Sequence, residues 1–135
     1  GLGDVYKRQK KYIAITAEKS MEATELTKAQ DIVFSKIKEN VKDFTYINNL
    51  EIEQEKTEKI NEIEMYRYEG KLICGRTVKA SAYVVGYTFI IDKIPCNITG
   101  VVTEKEQNEE SIQEIKSLVD EMARTVRNTK DNIMD

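Results

Sequence analysis

The spacing of apolar residues changes along this chain, and each change marks a predicted element. In "KYIAITA", residues 11 to 17, Ile13, Ile15 and Ala17 fall on one side of an alternation, which fits a short strand. From Ser20 to Val41 the period lengthens. Leu26, Ala29, Val33, Ile37 and Val41 recur every three or four residues, one stripe of an amphipathic helix. Thr27 with Gln30 fits a capping box, while Ser20 and Thr24 offer earlier starts. In "FTYINNLEIEQ", residues 44 to 54, Leu50 and Ile52 again alternate with Glu51 and Glu53, and "EKTEK" at 55 to 59 reads as a charged, solvated turn.

A β-rich block comes next: "INEIEMYRYEG", "KLICGRTVKAS", "AYVVGYTFII" and "PCNITGVVT". If Asp92 and Lys93 form a two-residue loop, Ile91 faces Ile94 and Phe89 faces Cys96. Tyr83, Val85, Tyr87, Phe89 and Ile91 then share an apolar face with Ile94, Cys96, Ile98 and Val102, and Thr88, Asn97 and Thr99 make the opposite face wetter. Such a one-sided antiparallel sheet needs a cover. The predicted cover is a C-terminal helix capped by Asn108, with Glu109 and Glu110 in its first turn and Arg124 and Arg127 near its end, the order a helix dipole favours. Ile112, Ile115, Leu118, Val119, Met122 and Val126 form its stripe. The single proline, Pro95, stands at a strand start, where its missing N–H does little harm. The expected fold is therefore α+β: an antiparallel meander packed by an N-terminal and a C-terminal helix, one domain over residues 10 to 128 with a frayed tail at 129 to 135.

The opening stretch, "GLGDVYKRQ", shares no pattern with the rest of the chain. Its codons can be spelled as the end of a transposase-based sequencing-library adapter, so residues 1 to 9 are expected to be non-native and the natural protein to begin upstream of Lys10. Leaving out Asp4, Lys7 and Arg8 takes the charged residues from 21 basic and 24 acidic to 19 and 23, a net charge of −4. A mildly acidic chain with scattered basic residues argues against nucleic acid, which needs a clustered basic face. No run approaches the ~18 apolar residues that span a bilayer. There is no histidine, so Ser-His-Asp and Cys-His nucleophile arrangements cannot be assembled here and the commonest zinc ligand is missing.

Element order, the hairpin "GYTFIIDKIPCNITGVV" and a terminal helix ending "VDEMARTVR" together resemble the Mog1/PsbP-like α/β/α sandwich, particularly its small bacterial lipoprotein and secreted versions. The resemblance covers roughly residues 11 to 128. It implies a sheet between helices and a non-enzymatic accessory or binding role outside the cytoplasm, and it transfers no site residue.

Cys74 and Cys96 are the pair to test for a disulfide. If Gly75-Arg76 is a turn, Cys74 lies at the far end of the sheet from Cys96; if "KLICGRTV" is itself a strand, the two flank a central strand. Both arrangements exceed the ~7 Å that a bridge can span, so free buried thiols are expected. Tyr66 and Tyr68 share a strand face, with Arg67 between them. Tyr and Arg are what interfaces favour, so these three residues are the candidate partner-binding site; the ordinary alternative is that the rings merely pack on the sheet. Asn97-Ile98-Thr99 matches a glycosylation sequon by chance. The acidic runs from Glu51 to Glu64 and Glu104 to Glu110 lack calcium-loop spacing. No catalytic residue, metal site or cofactor is predicted. Three functions remain open: an extracytoplasmic binding or accessory domain for a protein or small ligand, held to a membrane only by a missing N-terminal lipid anchor; a cytoplasmic interaction module, which the unpaired thiols suit; or part of an enzyme whose active site lies upstream.

Overall fold

The computed structural model describes residues 11–41, 47–74, 80–103 and 107–128. Strand β1 (Lys11–Ala17) leads to helix α1 (Leu26–Val41). Four more strands come after it, β2 (Ile47–Ile60), β3 (Ile63–Cys74), β4 (Ala80–Ile91) and β5 (Ile94–Val102), and helix α2 (Glu109–Thr125) closes the order. All neighbours are antiparallel, in the sheet order β1-β5-β4-β3-β2. The meander runs β2 to β5, and β1 returns to pair with β5 from Lys11↔Val102 to Ala17↔Cys96.

Period-two alternation divides the sheet into two buried faces. One carries Met65, Tyr83, Val85, Tyr87, Phe89, Ile98 and Val102 against Ile115, Val119 and Ala123 of α2. The other carries Tyr66, Tyr68, Leu72, Val84 and Val101 against Leu26 and Phe34 of α1. One helix therefore packs on each face. Helix α2 sits directly on β5 because Gly100 has no side chain: a Cβ there would come within 2.5 Å of Ile115 and 2.7 Å of Val119.

The Asp92-Lys93 hairpin forms as expected, with φ of 52° and 67° and with Ile91 opposite Ile94 and Phe89 opposite Cys96. Positive φ at both central residues gives the twist that two-residue hairpins favour. Asn108 caps α2, its Oδ1 accepting from Ser111 N–H at 2.8 Å. Within the stripe Leu118 is a correction. It is 41 % exposed, while Ile115, Val119 and Ala123 at four-residue spacing carry the contact.

"EKTEK" is not a turn. Strand β2 runs straight through it, and the reversal comes at Asn61-Glu62, both with positive φ, 51° and 66°. Charge there reflects an edge strand, where Lys and Glu discourage pairing with other chains. A bulge between Ile52 and Gln54 keeps Leu50 and Ile52 on the α1 face while turning Gln54, Lys56 and Glu58 to the α2 face. Asn61 then donates from Nδ2 to the carbonyls of Arg124 and Val126 at 2.7 and 2.9 Å, fastening this turn to the end of α2.

Helix α1 begins at Leu26, so the Thr27 capping box does not form. The approach is held by tertiary contact instead. Ala23 is buried and its N–H donates to the Lys93 carbonyl at 2.9 Å, so the chain is tied to the β4–β5 turn before helix can start. The register also decides the cysteines. Cys74 lies opposite Ala80 and Cys96 opposite Phe89, nine residues farther along β4, or about 30 Å at a strand's rise. Cys96 is a half-buried free thiol, and burial pushes its pKa up.

Candidate functional site

Tyr66, Arg67 and Tyr68 do not form one open surface. Alternation along β3 sends the two tyrosines under α1 and the arginine under α2, and all three are buried, with 9, 9 and 0 % exposure. The expectation of an accessible Tyr/Arg patch is corrected on this point: each face of β3 at this position is covered by a helix or filled by neighbouring side chains.

Beneath α1 the Tyr68 ring meets Phe34 edge-on at 5.0 Å and stacks with Tyr66 at 5.9 Å. Its partner across the ladder is Gly86, where a Cβ would lie 2.4 Å from the Tyr68 hydroxyl oxygen. The missing side chain makes room for the ring. The hydroxyl reaches Asn97 and Thr99, which with Thr88 form the face expected to be wet. All three are buried instead. Tyr68 donates to Asn97 Oδ1 at 2.9 Å, Thr99 Oγ1 lies 2.8 Å from the same hydroxyl, Thr88 donates to Asn97 Oδ1 at 3.2 Å, and Asn97 Nδ2 donates to Thr99. With Thr99 donating to Tyr68, the three groups close a ring in which each hydroxyl proton has an acceptor. Burial pushes the Tyr68 hydroxyl up to about 12. The sequon asparagine lies inside this network, closed to modification.

On the α2 face Arg67 anchors a chain of charges. Its Nε donates to Asp120 Oδ1 and its Nη1 to Glu69 Oε1, each at 3.1 Å. Glu69 is joined by Lys116 at 3.3 Å and by the Tyr83 hydroxyl at 2.9 Å, and Tyr87 donates to Asp120 at 2.6 Å. The guanidinium stands 5.7 Å from the centre of the Tyr87 ring. Burial alone would lower the Arg67 pKa, but its bonds to Asp120 and Glu69 outweigh it and raise it. Burial would likewise raise Glu69, yet Tyr83, Arg67 and Lys116 together hold it below the usual carboxylate range. Tyr83 and Tyr87 are pushed up, first by burial and then by their carboxylate acceptors.

This network floors a cleft of about 320 Å³ between β2 and α2. Gln54, Lys56 and Glu58 form one wall, Lys116 and Asp120 the other, and Arg67 lies at the base. Lys56 and Glu58, two residues apart on the same face of β2, pair at 2.8 Å, a charge contact without hydrogen-bond alignment. Of these residues only Arg67 was anticipated as a site residue. A signal for the others was present: Lys116, Asp120 and Arg124 recur at four-residue spacing beside the apolar stripe of α2, and Glu69 is the next residue after Arg67 on the same strand face. Among the described residues no group of three cysteine or carboxylate side chains converges as a metal site, and no helix is long and apolar enough to cross a membrane.

No protein-family model, curated protein or solved structure matches this chain.

Alkaline titration should register both networks. A tyrosine whose folded pKa is raised adds stability that is complete below its unfolded value of about 10 and is lost as pH rises through the folded one. Tyr66, Tyr68, Tyr83 and Tyr87 are all raised. Phenolate absorbance from these four of the seven tyrosines is therefore expected to appear only with the loss of circular dichroism. A single stage with all seven ionising near the free value would show that the hydroxyls are not held as described.

Proposed function

We propose that this chain is a non-enzymatic binding or accessory domain of the Mog1/PsbP-like sandwich type, acting outside the cytoplasm, and that its partner sits in the cleft between β2 and α2. The observation that carries the reading is the mutual neutralisation of the cleft's charges. Lys116, Glu69, Arg67 and Asp120 alternate in sign along one bonded chain. Such an arrangement is rigid and presents fixed hydrogen-bonding groups to a ligand. It suits recognition better than catalysis, which needs a group poised to ionise near working pH, whereas Tyr83 and Tyr87 are driven away from ionisation and Glu69 is held charged. The partner is a protein segment or a small ligand of matching polarity. A lipid anchor ahead of β1 would provide the only membrane association.

A cytoplasmic interaction module is the second reading, favoured by the free thiol of Cys96. Recovering the whole gene and fractionating cells that express it separates the two. A leader peptide with a lipobox and recovery in the envelope fraction are expected. Lys56→Glu combined with Gln54→Lys should abolish capture of the envelope partner at only a small cost in melting temperature, because both side chains are exposed and the Lys56–Glu58 pair is partly screened. Recovery in the cytosol overturns the compartment, and capture indifferent to the cleft variant overturns the site.

A further inference from the structure

We propose that this chain forms a two-fold dimer through the outer edge of β1, two copies joining their sheets into one. Strand β1 ends the sheet, and among the described residues no strand pairs with its outer edge. Its pairing with β5 decides which groups point outward. Glu18 N–H donates to the Pro95 carbonyl at 2.9 Å. By alternation, the backbone groups of Thr16, Ala14 and Tyr12 also face β5, while the N–H and C=O of Lys11, Ile13, Ile15 and Ala17 face away. The side chains of those same four residues lie on the α2 face. Ile15 among them is 68 % exposed, more than any other large apolar side chain described.

The α2 helix supplies the rest of an apolar surface. Glu114 takes the Lys11 ammonium at 3.1 Å, so Leu118, one turn farther on, lies on the flank that looks toward β1. Leu118 is the exposed member of the helix stripe. Ile13 is partly buried against the core cluster that Met122 also joins.

The occupant is a second copy because β1 complements itself. Antiparallel pairing about Ala14 sets Ile13 opposite Ile15 of the second copy and Lys11 opposite Ala17, with Glu18 just beyond. The basic end of one strand meets the acidic end of the other, and no like charges face each other; parallel pairing would stack Lys11 on Lys11. The two edges of the sheet differ in just this respect. Strand β2 carries Glu51, Glu53, Glu55, Lys56, Glu58 and Lys59 and a bulge, all of which discourage edge pairing. Strand β1 carries one charge, at its end, and has a regular register. At about 23 Å long it makes a small contact, so the dimer should be weak and concentration-dependent.

Sedimentation of the full chain over a concentration series tests this, together with amide exchange. The mass should double as concentration rises, and exchange at Ile13 and Ile15 should slow in step. Ile15→Lys should remain monomeric throughout with its melting curve unchanged, since the side chain is already exposed. Leu118→Glu should weaken the dimer, and Thr57→Lys on the opposite edge should leave it intact. A monomer at every concentration overturns the proposal, as does a dimer indifferent to Ile15→Lys. Protection of Ile13 and Ile15 that does not vary with concentration would also overturn it, by showing that another part of the same chain covers the edge.

Discussion

Tyr68→Ala is expected to cost about 3 to 5 kcal/mol, the range for truncating a buried aromatic ring. Tyr68 is fully buried, lies against Phe34 and Tyr66, and fills the space that Gly86 leaves open. Truncation opens a cavity between α1 and the sheet and also leaves Asn97 and Thr99 without their shared partner. Tyr68→Phe separates the two terms. It keeps the ring and removes the hydroxyl, so its cost should fall to about 1 to 3 kcal/mol, the penalty for leaving buried polar groups unsatisfied. Urea unfolding followed by circular dichroism measures both. Equal and small losses for the two variants would show that the ring is not core.

Arg67→Ala should be the next most damaging change, at about 3 kcal/mol, because removing one member of a buried ionic network leaves the others uncompensated. Glu69 and Asp120 keep Tyr83, Lys116 and Tyr87 as neighbours, which holds the loss at the lower end of the ~3 to 5 kcal/mol that breaking a buried pair costs. Asp120→Asn should cost less than Arg67→Ala, since the aspartate side chain is one-third exposed and partly screened. The pH dependence has a definite sign. Glu69 has a depressed folded pKa, so its contribution is present above the unfolded value of about 4.3 and disappears as pH falls through the folded one. The penalty of Arg67→Ala should accordingly shrink in acid. A penalty constant from neutral to strongly acidic pH would mean that packing, and not charge, makes Arg67 matter.

The α+β fold was readable wherever local chemistry and tertiary environment agreed. The Asp92-Lys93 hairpin and the Asn108 cap depend on a few adjacent residues, and both formed in the expected register. The same alternation rule correctly put Tyr83, Val85, Tyr87 and Phe89 on one face under the C-terminal helix. Reading failed where a polar residue had two physical explanations. "EKTEK" is charged because it edges the sheet, and nothing local distinguishes that from a solvated turn. Thr88, Asn97 and Thr99 are polar because they bond one another under α1, yet polarity alone suggested water. Tyr66, Arg67 and Tyr68 have an interface-like composition, but their burial depends on which faces the two helices cover. That depends on non-local features such as Gly86 and Gly100. The cleft residues were missed for the same reason: β2 and α2 meet only in the folded chain.

The claim that the cleft between β2 and α2 is the recognition surface is tested most directly by photo-crosslinking in cells, with the reactive group placed at Gln54 and, separately, at Lys28 on the exposed side of α1. A discrete adduct from Gln54, lost on Lys56→Glu and absent from Lys28, is the predicted result. Adducts from Lys28 alone, or the same adduct from both positions, would contradict it.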